Sequence, residues 1–242
     1  MSESFTAKKW TLHNRTGLAR SRDRDRMRES VQGFVPTGTG EAFRRLRMRA
    51  REDMPPIGTM PPPANLLTGT AKQALKALQG KDANQLLDKL GERLAFERTG
   101  ARLYDVLIEK VQQHGSYDGG PTVEALIEIR DDEIEHFRTV ARVMTSLDGD
   151  PTAITPSANL AAVASSGLVK VVGDPRTTVR ECLEAMLFAE LIDGDAWDRL
   201  IALTADASGD QEVLDAFRAA NEAEARHLQR VQGWLNAAFL PA

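Results

Sequence analysis

The chain has 242 residues, 27% charged and 42% hydrophobic, with 31 basic and 35 acidic side chains and a formal net charge of −4. A single cysteine excludes an internal disulfide framework and any cysteine-rich zinc or iron–sulfur module. No run of about 18 apolar residues is available to span a membrane, the opening MSESFTAKKW has no apolar signal core, and 5% aromatics argue against an all-β fold, so the expectation is a cytoplasmic, all-α protein.

The charge is unevenly placed. Residues 1–51 hold 13 Lys and Arg against five acids, a net +8, which leaves −12 for the remainder. From Glu52 to Ala64 stand Pro55, Pro56, Pro61, Pro62 and Pro63, which rule out a helix interior because proline lacks the N–H and clashes with the preceding turn. Residues 1–64 therefore read as a basic tail and an extended linker, with room for a short helix across Gly40–Arg51. Residues 65–242 read as the folded domain.

After the linker the pattern is helical. A short helix is expected at Ala71–Leu78, ended by Gly80. A long one follows from about Ala83 to His114, stopped by Gly115 and the turn-rich SYDGGP. The next starts after Pro121 and runs to Leu147, with Pro121 as its first-turn residue. The third starts after Asp174–Pro175 and ends near Thr204; the fourth starts near Ser208 or Asp210 and ends near Ala237. Roughly six residues separate the helices within each pair, so each pair is an antiparallel hairpin. About 27 residues, Asp148 to Asp174, separate the pairs. That is a crossover along a bundle, with a short helix expected at Leu160–Val171. The fold class is thus all-α: a four-helix bundle of two hairpins joined by one long crossover.

Each long helix carries an apolar seam with steps of three and four. The seams are Leu94, Glu97, Ala101, Tyr104, Ile108, Val111; then Leu126, Ile129, Glu133, His136, Val140, Val143, Leu147; then Leu183, Leu187, Glu190, Gly194, Trp197, Ile201; and last Val213, Phe217, Ala220, Glu224, His227, Val231, Trp234. Each is interrupted by one Glu, or by a Glu with a His three residues on. A buried carboxylate is costly without a partner, and two histidines cannot neutralise four glutamates. Two divalent cations can, with the imidazoles staying neutral as ligands. The competing reading is a metal-free polar network.

In Glu133-x-x-His136 and Glu224-x-x-His227 the two side chains lie about 60° apart on the helix and reach one region of the bundle axis. The hairpins read as an internal repeat. Glu97 precedes Glu133 by 36 residues and Glu190 precedes Glu224 by 34; Tyr104-Asp105 and Trp197-Asp198 each start seven residues after the seam Glu. A pseudo-twofold axis then sets two metals side by side, with Glu133 and Glu224 available to bridge.

This pattern resembles the ferritin-like di-iron carboxylate superfamily, which includes rubrerythrins, bacterioferritins and manganese catalases, over about Lys89–Trp234. The resemblance implies a ferritin-like bundle holding two Fe ions, with Mn or a mixed Fe/Mn pair as alternatives. It implies Glu97 and Glu190 as terminal ligands, Glu133 and Glu224 as bridges, and His136 and His227 as one imidazole per metal. The implied activity is oxidoreduction of hydrogen peroxide or dioxygen, fed by a separate electron-donor protein; ferroxidase or iron-handling activity and manganese catalase-like dismutation are the alternatives, with a non-enzymatic interaction bundle behind them. A homodimer or larger homo-oligomer is expected, and no membrane partner. There are departures. The chain lacks a four-cysteine rubredoxin module, Ile134 stands where bacterioferritin-like haem binding uses methionine, and only 15 residues follow His227, too few for the fifth helix of a storage cage.

Three readings stay open at this level. Asp193, three residues after Glu190, is a ligand, a partner to a histidine or a solvated residue. Tyr104 and Trp197 are core aromatics or electron carriers. The Arg-rich tail, SRDRDRMRES, binds nucleic acid or docks on an acidic bundle.

Overall fold

A computed structural model of the chain describes residues 24–33, 41, 45, 48, 49, 81–147, 149–206 and 210–240. The chain divides into two units, Met1–Met54 and Pro55–Ala242. In the first, α1 spans Arg24–Val31, with Asp25 in its first turn, where the helix dipole favours a negative charge. Of the helix expected over Gly40–Arg51, Glu41, Arg45, Met48 and Arg49 are described and helical, and Arg45 pairs with Glu41 one turn away at 2.6 Å. The helix expected at Ala71–Leu78 and the tail–bundle boundary at 64/65 lie outside the described residues.

The second unit contains six described helices and no described strand. They are α2 (Lys81–His114), α3 (Val123–Ser146), α4 (Pro156–Ala164), α5 (Ser166–Gly173), α6 (Val179–Asp206) and α7 (Gln211–Phe239). The boundaries follow local chemistry. Gly115, at φ 75°, ends α2 while its N–H caps Val111 O at 2.8 Å. Thr122, not Pro121, is the residue that starts α3, its side chain accepting from Ala125 N. Asp210 caps α7 by accepting from Glu212 N. Thr178 and Glu181 form a reciprocal capping box ahead of α6, at 2.8 and 3.3 Å. The short helix expected at Leu160–Val171 is two helices, broken at Ser165, whose hydroxyl bonds back to Ala161 O.

Side-chain pairs give the directions. Arg130 meets Asp105, and Asn221 meets Asp198, so each hairpin is antiparallel. Arg93 meets Asp193, Tyr104 meets Glu190, and Lys110 meets Thr177, so α2 and α6 are antiparallel as well. Asp132 and His227, with Glu128 and Arg230, set α3 against α7 in the same sense. Two hairpins whose first helices oppose each other require a connection that travels the bundle's length. It does: the crossover is tied to α2 at Asp88, through Thr155 and Ser157, and again at Lys110, through Asp174 and Thr177. Those anchors are ~33 Å apart along a helix rising 1.5 Å per residue. Gly91 makes the close approach possible, since a Cβ there would sit 2.4 Å from Thr155 Cγ2.

The core is layered. One apolar cluster, including Leu103, Leu107, Leu126, Ile129, Leu183, Met186 and Val231, fills one end of the bundle. A second, including Leu90, Leu94, Val140, Met144, Trp197, Leu200 and Phe217, fills the other. The Glu and His residues occupy the level between them. None of the described helices is long and apolar enough to cross a membrane.

Candidate metal centre

Each long helix delivers its acid to the same level because each seam puts it mid-helix, one turn from large apolar neighbours. Glu97 comes from α2, Glu133 and His136 from α3, Glu190 from α6, and Glu224 and His227 from α7. All six are buried, Glu97 completely. Four carboxylates in a dry core repel one another, and the two imidazoles are drawn among them. His136 Nδ1 stands 2.7 Å from Glu224 Oε1 and 3.7 Å from Glu97 Oε2. His227 Nδ1 stands 3.2 Å from Glu224 Oε2, 3.9 Å from Glu133 Oε1 and 4.0 Å from Glu190 Oε2.

The protonation energetics record the strain of that crowding. Burial, then the neighbouring Glu224 and Glu97, push Glu133 well above the usual carboxylate range. Burial and Glu224 push Glu190 up to about 8, against the pull of His227 and Tyr104. Burial alone would raise Glu224 too, but the two histidines outweigh it and hold this carboxyl low. Burial acts to lower both imidazoles; for His136 the Glu224 and Glu97 carboxylates override it and push the value up to about 10, and for His227 Glu224 does so.

The donor atoms fall into overlapping sets. Glu133, Glu190, Glu224 and His227 can each offer one atom within 4.8 Å of all the others, as can Glu97, His136 and Glu224, and a third set of Glu97, Glu133, Asp193 and Glu224. Donors about 2.0–2.2 Å from one metal lie at most ~4.4 Å apart, so these sets need little closure to ligate. The decisive test is satisfaction. Both Glu97 oxygens, Glu133 Oε2, Glu190 Oε2, Glu224 Oε1 and His136 Nδ1 are buried without a hydrogen-bond partner. Ion-pair contacts compensate part of this, His136 Nδ1 with Glu224 Oε1 at 2.7 Å and Arg93 with Glu97 Oε1 at 3.2 Å, but six buried polar atoms without a hydrogen bond in one dry layer are more than a packed core tolerates. They lie close to one another, and a set of carboxylate oxygens and imidazole nitrogens suits Fe or Mn. The residues could hold divalent metal.

All six residues picked out by the seams therefore come together. Four others belong to the layer, of which the sequence pattern points only to Asp193 and leaves its role open. Arg93, one turn before Glu97 on the same face, is fully buried; its guanidinium bonds to the Asp193 carboxylate, to Asp193 O at 3.2 Å, and lies 3.2 Å from Glu97 Oε1. Asp193 is buried, with burial pushing its carboxyl up against the pull of Arg93. Asp132 is half exposed, yet its Oδ2 reaches His227 Nε2 at 3.0 Å, fixing that ring so that Nδ1 faces the carboxylates. Gly100 leaves the space into which Glu133 extends: a Cβ there would lie 2.3 Å from Glu133 Oε2. Tyr104 donates its hydroxyl to Glu190 Oε1, and burial with that carboxylate raises its pKa well above normal, so it stays protonated. Trp197 packs edge-on to the His136 ring at 5.8 Å.

Comparison of the chain with protein-family models, with curated proteins and with solved structures gives no match.

Proposed function

We propose that this chain is a di-metal oxidoreductase of the ferritin-like di-iron carboxylate type, taking two iron ions and acting on hydrogen peroxide or dioxygen. The observation that carries the reading is the layer of six orphaned carboxylate and imidazole atoms sealed between two apolar clusters. Glu97 with His136 would hold one ion and Glu190 with His227 the other, Glu133 and Glu224 lying between. When bound, two redox-active cations would supply the two electrons needed to reduce an oxygen–oxygen bond, and a separate donor protein would replace them.

The chain's own part is to exclude water, fix the donors and hold protons. Leu94, Leu103, Ile129, Val140 and Phe217 close the layer from above and below. That dryness strengthens every charge interaction within it. Reducing hydrogen peroxide to two water molecules consumes two electrons and two protons. The Tyr104 hydroxyl is a proton-bearing group held at the edge of the centre, its O–H directed at Glu190.

Elemental analysis of purified protein is expected to find about two iron ions per chain. Anaerobically reduced, iron-loaded protein should be reoxidised by peroxide much faster than His136→Ala prepared the same way. Equal rates in the two proteins would refute the peroxide reading. Many iron atoms per chain would point to iron storage instead, and manganese with peroxide dismutation to a catalase.

A further inference from the structure

The two hairpins repeat, yet the residues around the centre do not. In register with the repeat, Arg93 corresponds to Met186, Gly100 to Asp193, and Asp132 to Ala223. Every one of these differences falls on a residue that touches the donor layer or stands beside one that does. The glutamates and histidines are symmetric and their supports are not.

On the Glu190–His227 side, Asp132 accepts from or orients His227 through Nε2 at 3.0 Å. A carboxylate in that place fixes the tautomer and makes the ligating nitrogen a stronger base. Among the described residues no guanidinium or ammonium is paired with Glu190: Tyr104 holds Oε1, and Oε2, without a hydrogen bond, faces His227 Nδ1 at 4.0 Å. Four donors already converge here: Glu133, Glu190, Glu224 and His227.

On the Glu97–His136 side the supports run the other way. Ala223, buried, stands where the repeat would put a carboxylate, and among the described residues the ion pairs of His136 are made through Nδ1. The Arg93 guanidinium lies 3.2 Å from Glu97 Oε1, so a fixed monovalent cation shares the carboxylate that an ion at this position needs. Asp193 would complete the donor set with Glu97, Glu133 and Glu224, but its carboxylate is engaged by Arg93. Two carboxylates converge with His136, Glu97 and Glu224, against three with His227, Glu133, Glu190 and Glu224.

Building on the two-metal reading, we infer that the two metal positions are unequal: the Glu190–His227 position, backed by Asp132, fills first and tightly, and the Glu97–His136 position, shared with the Arg93–Asp193 ion pair, fills second and weakly. The centre then carries one retained ion and one exchangeable ion.

The test is an anaerobic titration of the metal-free full chain with Co(II), followed by calorimetry and by the visible absorption of the bound ion. Wild-type protein should show two resolved steps of one ion each, separated by at least tenfold in affinity. Asp132→Asn changes a residue whose side chain is half exposed at the surface, and a circular dichroism melt confirms that it folds. It should weaken the first step by roughly 10- to 100-fold, the cost of losing such a partner, and leave the second unchanged. Arg93→Met installs the residue that the repeat carries and frees Asp193; it should tighten the second step. Two equal or cooperative steps in wild-type protein would overturn the inequality while leaving the two-metal reading intact, as would an Asp132→Asn variant weakened in both steps alike. Failure of the wild-type chain to bind any Co(II) would overturn the two-metal reading itself.

Discussion

Gly100 shows how a residue with no side chain governs one that carries the chemistry. It lies within α2, where glycine costs about 1 kcal/mol relative to alanine, yet a methyl group at this position would meet Glu133 Oε2 at 2.3 Å. Gly100→Ala is therefore expected to do two opposite things. The metal-free protein should hold its stability or gain up to about 1 kcal/mol, because the obstructed atom is the far end of a flexible side chain. The displaced Glu133 should bind metal worse, so the rise in melting temperature on adding Mn(II) or Fe(II) should shrink relative to wild type. Thermal melts with and without metal measure both, and an unchanged increment would show that Glu133 does not need this notch. Arg93 teaches the complementary lesson. Arginine is almost never fully buried unless paired, so in a one-dimensional reading it belongs to the solvated face. Its partners make that burial tolerable: Glu97 one turn on, and Asp193, a hundred residues away and brought alongside by the antiparallel α2 and α6.

At the scale of the element, the long helices were legible because their apolar seams continue for five or six turns. The polar interruptions were legible because each fell on that seam. The reading slipped where pattern carries no information. On α6 the expected line ran through Leu187, Gly194 and Ile201, which are half-buried, whereas Met186, Asp193, Leu200 and Thr204 face the core. A choice between Asp193 and Gly194 cannot be made from hydrophobicity, since neither is apolar. Asp132 was hidden for another reason: an exposed aspartate beside the seam acts through a ring on α7, a relation that only the packed hairpins create. The crossover is a case where length alone announced the element and side chains fix its course. Asp88 accepts from Ser157 N at 2.9 Å and from Ser157 Oγ at 2.6 Å, tying the start of α4 to α2. Asp88→Ala removes both bonds and should cost about 1.5–3 kcal/mol, the worth of a hydrogen bond to a charged group. The loss should be local. Amide exchange should quicken in α4 while the centre, which Asp88 does not touch, keeps its metal affinity. Uniform quickening across all the helices would show instead that the crossover is integral to the bundle's cooperative core.

For the second unit as a whole, the buried layer makes stability depend on pH, and the dependence differs with and without metal. In the metal-free protein Glu190 titrates at about 8 rather than at its ordinary 4.5, and His136 at about 10 rather than 6.5. Both values are raised, so the folded state binds those protons more tightly than the unfolded chain does. Glu190's contribution is complete below pH 4.5 and is lost as pH rises through about 8; that of His136 is complete below 6.5 and lost on the way to about 10. Glu133 and His227 are shifted in the same sense. Glu224, held low, runs oppositely, but its contribution disappears only as pH falls below its ordinary 4.5, outside this window. Chelator-treated protein should therefore lose stability between pH 5.5 and 8, on the order of a few kcal/mol. Divalent ions compete with those protons for the same atoms, so their binding strengthens as the protons leave. The gap in denaturation midpoint between loaded and metal-free protein should widen steadily over the same interval. Midpoints in urea at pH 5.5, 6.5, 7.5 and 8, with and without Mn(II), measure it. A metal-free protein as stable at pH 8 as at 5.5 would mean that the acids of the central layer reach water or each other's protons at no cost, and the electrostatic reason for cations in this bundle would be gone.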